Sequence, residues 1–226
     1  MAAFAASSTR DVRTVQIPPH ELQGLLGIPP QAIGLVIFAH GSGSGRLSPR
    51  NQHVAQALRE AGIATLLLDL LTPHEERDRA NVFDIELLAR RLGEATAWAQ
   101  LQTDTATLPV GYFGASTGGG AALVAASAPK NRAAAVVSRG GRPDLAGAAL
   151  ENVTAPTLLI VGGLDTQVIA LNQQAMLRLR CDKQLNIVPG ATHLFEEPGA
   201  LDDVVRLATA WFRRHLAPRP AGTSPS

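Results

Sequence analysis

Residues 110–122 read Val-Gly-Tyr-Phe-Gly-Ala-Ser-Thr-Gly-Gly-Gly-Ala-Ala, and this stretch decides how the rest of the chain is interpreted. The run at 110–113 has the β-branched and aromatic residues of a short buried strand, and small residues typical of a closely packed helix follow to about Ala128. Between them, Gly-x-Ser-x-Gly at 114–118 predicts a sharp strand-to-helix turn with Ser116 at its apex. The alternative is a glycine-rich turn that only lets a helix pack on a sheet.

Strand-like and helical stretches alternate along the rest of the chain. A continuous apolar run at 34–39 is typical of a strand buried on both faces. Further buried strands are predicted at 64–69 and 157–161, and other strands at 133–138 and 185–188. Helices are predicted at 49–61, 84–100, 166–180 and 200–215, with a polar loop at 71–82. Residues 12–17 and 22–28 indicate a hairpin that precedes this alternation. We therefore predict an α/β fold with a mostly parallel, doubly wound sheet and an N-terminal antiparallel hairpin.

Five polar residues follow the ends of predicted parallel strands: His40, Ser116, Arg139, Asp165 and His193. In a parallel sheet the carboxyl ends of all the strands lie at the same rim, and ligands bind at that rim. A serine hydroxyl needs a base to take its proton, and the base needs a carboxylate to orient it. Ser116, Asp165 and His193 have the chain order of the Ser-Asp-His triad of α/β-hydrolases, so we predict that they are the catalytic residues.

Each member of this predicted triad has another interpretation. Asp165 opens a predicted helix and could serve only as its N-cap. His193 could be a surface histidine. Asp144 follows the preceding strand and is the second candidate for the acid. The order of all three residues along one rim favours the triad.

An acyl-transfer site also needs two N–H donors for the oxyanion. We predict that one is the backbone N–H of Thr117, directly after the nucleophile, and that the other comes from Ser42 in the loop after the first parallel strand. A dinucleotide-binding turn is the rival interpretation of this loop. It requires a third glycine or alanine where the sequence has Arg46, so the pattern does not match.

Composition excludes several classes of protein. The formal net charge is +1 and no basic cluster stands out, which argues against nucleic-acid and membrane-surface partners. A single cysteine, Cys181, excludes an internal disulfide and a cysteine-rich zinc site, and no metal or other cofactor is predicted. We expect a cytoplasmic protein with one domain at 11–216, a flexible tail at 1–10 and a disordered tail at 217–226. Whether the chain is a monomer or a homodimer stays open.

The sequence resembles the dienelactone-hydrolase-like branch of the α/β-hydrolases over about residues 12–216. Besides the serine turn, the resemblance depends on a Gly-Ser-Gly-Ser…Ser-Pro-Arg-Asn loop at 41–51 and a Ser-Arg-Gly-Gly-Arg-Pro loop at 138–143. Both loops are similar to those of stand-alone or phosphoribosyltransferase-fused hydrolases of this branch. Dienelactone hydrolases proper use a cysteine nucleophile, whereas this chain has Ser116 at that place. The resemblance implies an α/β-hydrolase fold and a serine carboxylesterase.

The predicted function is cleavage of small, short-acyl esters through an acyl-enzyme intermediate. The alternatives are a non-catalytic domain that keeps the fold for binding or regulation, and a hydrolase of dienelactones or thioesters. Fewer than 20 residues separate Arg139 from Pro156, too few for a large cap domain, so we expect an open site. Arg50, Arg139 and Arg142 are predicted to border the site and bind substrate. The other interpretation is that these arginines lie on helix surfaces or brace loops by pairing with Asp144.

Overall fold

The computed structural model describes residues 12–217. The predicted tails, at 1–10 and 217–226, lie outside these residues except for residue 217. A strand forms at each position where one is predicted. The central strands are buried along their whole length because helices cover both of their faces. The strands are β1 (Val12–Ile17), β2 (Leu22–Gly27), β3 (Leu35–Ala39), β4 (Ala64–Leu68), β5 (Val110–Ala115), β6 (Ala135–Arg139), β7 (Thr157–Gly162) and β8 (Lys183–Val188).

The eight strands form one sheet in the order β1-β2-β4-β3-β5-β6-β7-β8. Strand β2 pairs antiparallel with both β1 and β4, whereas every other pair is parallel. The prediction of a mostly parallel sheet with an N-terminal antiparallel hairpin is confirmed. The parallel strands all end at one rim, which collects the loops that follow them.

Six α-helices accompany the sheet within residues 12–217: α1 (Pro49–Glu60), α2 (Arg79–Phe83), α3 (Ile85–Gln100), α4 (Thr117–Ser127), α5 (Thr166–Arg178) and α6 (Ala200–Leu216). Helices α1 and α6 pack on one face, and α3, α4 and α5 pack on the other. Neighbouring residues of β5 point into opposite layers, with Tyr112 on the α3 side and Phe113 on the α6 side. None of these helices is long and apolar enough to cross a membrane.

The predicted polar loop at 71–82 is partly helical, since it contains a 3₁₀ turn at Glu75–Arg77 and most of α2. Local caps explain the difference. Thr72 and Glu75 each accept a hydrogen bond from the other's backbone N–H, and the Asp78 carboxylate accepts an N–H from the first turn of α2. The buried Arg91 of α3 also holds Glu75, at 2.6 Å.

The connection from β6 to β7 carries no large cap domain, as predicted. It forms a 3₁₀ segment, Pro143–Asn152, which buries Ala146 and Leu150 in the core instead of extending over the rim. No helical domain from this connection covers the carboxyl ends of β5, β6 and β7 within residues 12–217.

Candidate active site

A strained turn joins β5 to α4 and holds Ser116 between them. Ser116 has φ 52° and ψ −122°, a backbone conformation that costs energy for a residue with a side chain. Two glycines make the turn possible. A Cβ on Gly114 would lie 2.5 Å from the carbonyl oxygen of Gly118, and a Cβ on Gly118 would lie 2.1 Å from that of Ala39. No larger residue fits at either place.

The rim brings Ser116, His193 and Asp165 into one chain of hydrogen bonds. His193 Nδ1 lies 2.6 Å from Asp165 Oδ2, and His193 Nε2 lies 3.4 Å from Ser116 Oγ. Because a carboxylate can only accept, Nδ1 must carry the ring proton, which leaves Nε2 free to accept from the serine hydroxyl. This is the arrangement needed for a histidine to act as a general base.

The carboxylates of Asp165 and Asp144 have different partners, which bears on the choice between them. Asp165 occupies the N-cap position of α5, yet its side chain makes no capping hydrogen bond and is directed to His193. Asp144 is held by Arg142 through two hydrogen bonds of 2.8 and 2.7 Å. The structure therefore brings Asp165, and not Asp144, to the histidine.

The loop after β3 lies against the first residue of α4. The backbone N–H of Ser42 donates to the side-chain hydroxyl of Thr117 over 3.0 Å, so the two residues predicted for the oxyanion hole are neighbours. The buried His40 supports this loop, because its Nε2 accepts the backbone N–H of Leu70 at 3.0 Å and its Nδ1 lies 3.0 Å from the carbonyl oxygen of Gly41. The Ser42 N–H, predicted as an oxyanion donor, therefore already donates to the Thr117 hydroxyl.

Arg139, at the end of β6, is a buried cation that has no counter-ion among residues 12–217. Arg139 is only 8% exposed, and its Nε is fully buried without a hydrogen bond. Its guanidinium carbon lies 5.8 Å from the ring centroid of Phe195. Burial, and then the charge of Arg50, lower the pKa of Arg139 to about 10. An unpaired buried charge of this kind favours a site for an anion.

The other two predicted arginines have acidic partners. Arg50 Nη1 bonds Glu196 Oε1 at 2.7 Å, which leaves its own Nε buried and unbonded. Arg142 makes the double contact with Asp144 described above, and that contact fits the loop-bracing interpretation. Of the three, Arg139 has the surroundings expected of a ligand-binding residue.

A small cavity of about 260 Å³ lies beside the loop after β3. Its walls are residues 40–44 on one side and Leu71, Glu76, Val82 and Leu88 on the other. The wall residue Gly41 is close to the nucleophile, since a Cβ placed on it would lie 3.0 Å from Ser116 Cβ. Gly41 therefore belongs both to the wall of this cavity and to the surroundings of the serine turn, whereas Ser116 and His193 are not wall residues.

Comparison with known proteins identifies the family. The sequence model of the dienelactone hydrolase family matches residues 22–215. The chain belongs to the dienelactone hydrolase family. The crystal structure of a dienelactone hydrolase from Anabaena variabilis is 57% identical, with a TM-score of 0.87 over 90% of this chain and 96% of that one. Est1E from Butyrivibrio proteoclasticus is 16% identical, with a TM-score of 0.75 over 91% and 99% of the two chains, and shows the shared fold alone.

Longer relatives of this dienelactone hydrolase family member also exist. Two curated Mycobacterium tuberculosis proteins, both named "Putative phosphoribosyl transferase", are 62% identical to it over 205 residues. The match covers 90% of this chain but 46% of each relative, so the chain spans about half the length of the curated relatives it matches. The family and the fold support a hydrolase.

Two residues at the carboxyl rim of the sheet were not predicted from the sequence. Phe195 is the ring over which Arg139 lies, and Glu196 is the partner of Arg50. They follow His193 by two and three positions in the same loop. Their nearness to the predicted base was the signal that could have drawn attention to them.

Proposed function

We propose that this protein is a serine hydrolase that cleaves small, short-acyl esters through an acyl-enzyme intermediate. The single observation that carries the proposal is the hydrogen-bonded series Ser116, His193 and Asp165 on a strained turn at the carboxyl rim. The 3.4 Å separation of Ser116 Oγ and His193 Nε2 is loose, as is common before substrate binds. Membership of the dienelactone hydrolase family agrees with hydrolytic chemistry.

Acylation begins when His193 Nε2 takes the proton of Ser116 Oγ, which bonds to the ester carbonyl carbon. Asp165 stabilises the imidazolium that forms and keeps its ring in the correct orientation. The first N–H groups of α4 have no partner within the helix, so the N–H of Thr117 can face the developing oxyanion. The leaving alcohol then takes the proton from His193.

Deacylation repeats these steps with water as the nucleophile. His193 Nε2 removes a proton from water, whose oxygen bonds to the acyl carbon, and the proton returns to Ser116 Oγ as the acyl group leaves as a carboxylic acid. The side chain of His193 is 38% exposed, so that water can reach it. The resting enzyme is restored with no other reactant.

The proposed substrate is small and carries a negative charge. The cavity of about 260 Å³ that has Gly41 in its wall has room for a short group, and no cap domain extends it within residues 12–217. On the α6 side, Arg139 is buried and has no ion pair within residues 12–217, and Arg50 lies near it. A carboxylate on the ester would give Arg139 a bidentate partner. We therefore propose Arg139 as a substrate-binding residue, with Arg50 supporting it and Arg142 bracing the loop.

Covalent labelling tests the proposal. A fluorophosphonate probe should label the wild-type protein at Ser116, and p-nitrophenyl acetate should be hydrolysed. The Ser116→Ala variant should lose both, while Ser44→Ala, a change of a second serine at the same rim, should keep both. Peptide mapping of the labelled protein identifies the modified residue.

Each outcome decides between named alternatives. Label on Ser44, or label that survives Ser116→Ala, would show that the strained turn does not carry the nucleophile. A folded wild-type protein that neither reacts with the probe nor turns over any ester in a panel of graded acyl length would favour a non-catalytic role for the fold.

A further inference from the structure

The hydrogen bond between Ser42 and Thr117 changes which groups can face the oxyanion. An oxyanion hole needs two donors aimed at the oxygen of the tetrahedral intermediate. The Ser42 N–H points at Thr117 Oγ1, 3.0 Å away. One N–H makes one well-aligned hydrogen bond. In this arrangement the Ser42 N–H is directed at Thr117 and not at the position of the oxyanion.

His40 keeps the Ser42 N–H in this direction. Its Nε2 accepts the N–H of Leu70, so in the neutral ring Nδ1 carries the proton and donates to the carbonyl oxygen of Gly41. That carbonyl and the Ser42 N–H belong to one planar trans peptide and point in opposite directions. Holding the carbonyl thus aims the N–H at Thr117.

The Thr117 hydroxyl has a proton with no acceptor of its own. Thr117 is 5% exposed, and the bond from Ser42 is the only hydrogen bond that its hydroxyl makes within residues 12–217. A hydroxyl accepts and donates at once, and a buried donor left without a partner is unfavourable. Thr117 follows Ser116 directly and its backbone N–H is the predicted first donor, so its O–H belongs to a residue that borders the expected oxyanion position.

We propose that Thr117 supplies both direct donors of the oxyanion hole, its backbone N–H and its side-chain O–H. The Ser42 N–H acts through Thr117, because a hydroxyl that accepts a hydrogen bond becomes a stronger donor. Thr117 is then a catalytic residue, and Ser42 and His40 are positioning residues. The inference rests on the proposed acyl transfer at Ser116. No proton leaves Thr117, since its O–H only donates a hydrogen bond that strengthens as charge develops.

Two variants that differ only in the hydroxyl test this assignment. Thr117→Ser keeps the O–H and Thr117→Ala removes it, and both are small enough to fit. We expect kcat for p-nitrophenyl acetate to be on the order of 100-fold higher for Thr117→Ser than for Thr117→Ala, with KM changed by less than about threefold. Thr117→Val, which keeps the branched shape, should resemble Thr117→Ala.

A second buried threonine provides the matched control. Thr96 is 1% exposed and bonds Tyr112 Oη at 2.7 Å, away from the rim. Thr96→Val should lower stability but leave kcat unchanged. An aliphatic trifluoromethyl ketone, whose adduct with Ser116 carries an oxyanion, should bind Thr117→Ala more weakly by the same factor as kcat/KM falls. A merely structural role for Thr117 would not link these two values.

The outcomes separate this inference from the proposed function. Equal kcat values for Thr117→Ser and Thr117→Ala would overturn it and assign the second donor to the Ser42 N–H itself. Unchanged binding of the trifluoromethyl ketone to Thr117→Ala would overturn it as well. A wild-type protein that is not labelled at Ser116 and hydrolyses no ester would overturn the proposed function, and this inference with it, before any Thr117 variant is made.

Discussion

Replacing Arg139 with methionine should make the ligand-free protein more stable and less selective for anionic esters. Arg139 is 8% exposed and has no ion pair within residues 12–217. Burial, followed by the charge of Arg50, lowers the pKa of Arg139 to about 10. A lowered pKa means that folding disfavours the charged form of the guanidinium. Arg139 is charged at neutral pH, so the loss of folding stability caused by burying this charge is present there. It is relieved only as the pH rises through about 10.

The magnitude follows from this lowering. Because each pKa unit corresponds to about 1.4 kcal/mol, the lowering of the pKa of Arg139 to about 10 means that the buried charge costs about 3 kcal/mol of the free energy of unfolding. Methionine loses the contact of the cation with the Phe195 ring, worth about 1 kcal/mol. It is flexible and apolar enough to fill the vacated space. The expected net gain is about 2 kcal/mol, which raises Tm by roughly 4–8 °C in a protein of this size.

Urea unfolding and paired ester kinetics measure the two effects. The esters are mono-p-nitrophenyl succinate, which carries a free carboxylate, and p-nitrophenyl butyrate, which has the same length and no charge. A charge-assisted hydrogen bond contributes about 1.5–3 kcal/mol, so the wild-type preference in kcat/KM for the anionic ester should be roughly 10- to 100-fold. Arg139→Met should remove this preference and keep turnover of the butyrate.

Arg142→Met is the matched control. Arg142 is paired with Asp144 and its side chain is 38% exposed, so its loss should lower the free energy of unfolding by less than about 1 kcal/mol. Ester selectivity should not change. If Arg139→Met instead destabilised the protein and slowed both esters equally, Arg139 would be a residue that holds the loops together, and the reasoning on the unpaired charge would be refuted.

Two further predictions concern the catalytic carboxylate and the acyl group. Asp165→Asn should lower kcat by on the order of 10⁴, because an amide can hold His193 in the wrong tautomer, whereas Asp144→Asn should have little effect. Steady-state kinetics with p-nitrophenyl acetate compare the two variants. If Asp144→Asn caused the larger loss, Asp144 and not Asp165 would be the catalytic acid. Acetyl and butyryl esters should be hydrolysed far faster than palmitoyl esters, because each buried methylene contributes about 0.8 kcal/mol and a cavity of about 260 Å³ without a cap buries few of them. A series of acyl lengths that peaks at palmitoyl would contradict this.

Local patterns explain why much of the fold and the spacing of the site could be predicted. The turn at Ser116 needs glycines at 114 and 118 because a Cβ at either position would clash with neighbouring backbone. Five consecutive residues, 114–118, are therefore enough to predict the turn. Apolar runs predict the buried strands, and the loops after them reach the same rim in any parallel sheet. The pairing of Arg142 with Asp144 spans only two residues, so it was open to sequence reasoning as well.

Contacts between distant segments were beyond the reach of such patterns. The ring of Phe195, in the loop after β8, and the charge of Arg50, in the first turn of α1, both lie near Arg139, and no local pattern encodes that meeting. The hydroxyl of Thr117 meets Ser42 across 75 positions of the chain. Sequence patterns predict that these loops share a rim, but the orientation of each side chain depends on packing that only the folded chain defines.

Two energetic costs lie side by side at this rim. Ser116 has a positive φ, and Arg139 is a buried cation that has no counter-ion within residues 12–217. The N–H of Ser116 donates to the carbonyl oxygen of Arg139 at 3.2 Å. A chain selected for stability alone would carry neither feature, so their adjacency argues that both serve the same site. They differ in how a ligand affects them. In the proposed function, the backbone strain at Ser116 would persist through the reaction, whereas an anionic substrate paired with Arg139 would stabilise the folded protein only while it is bound.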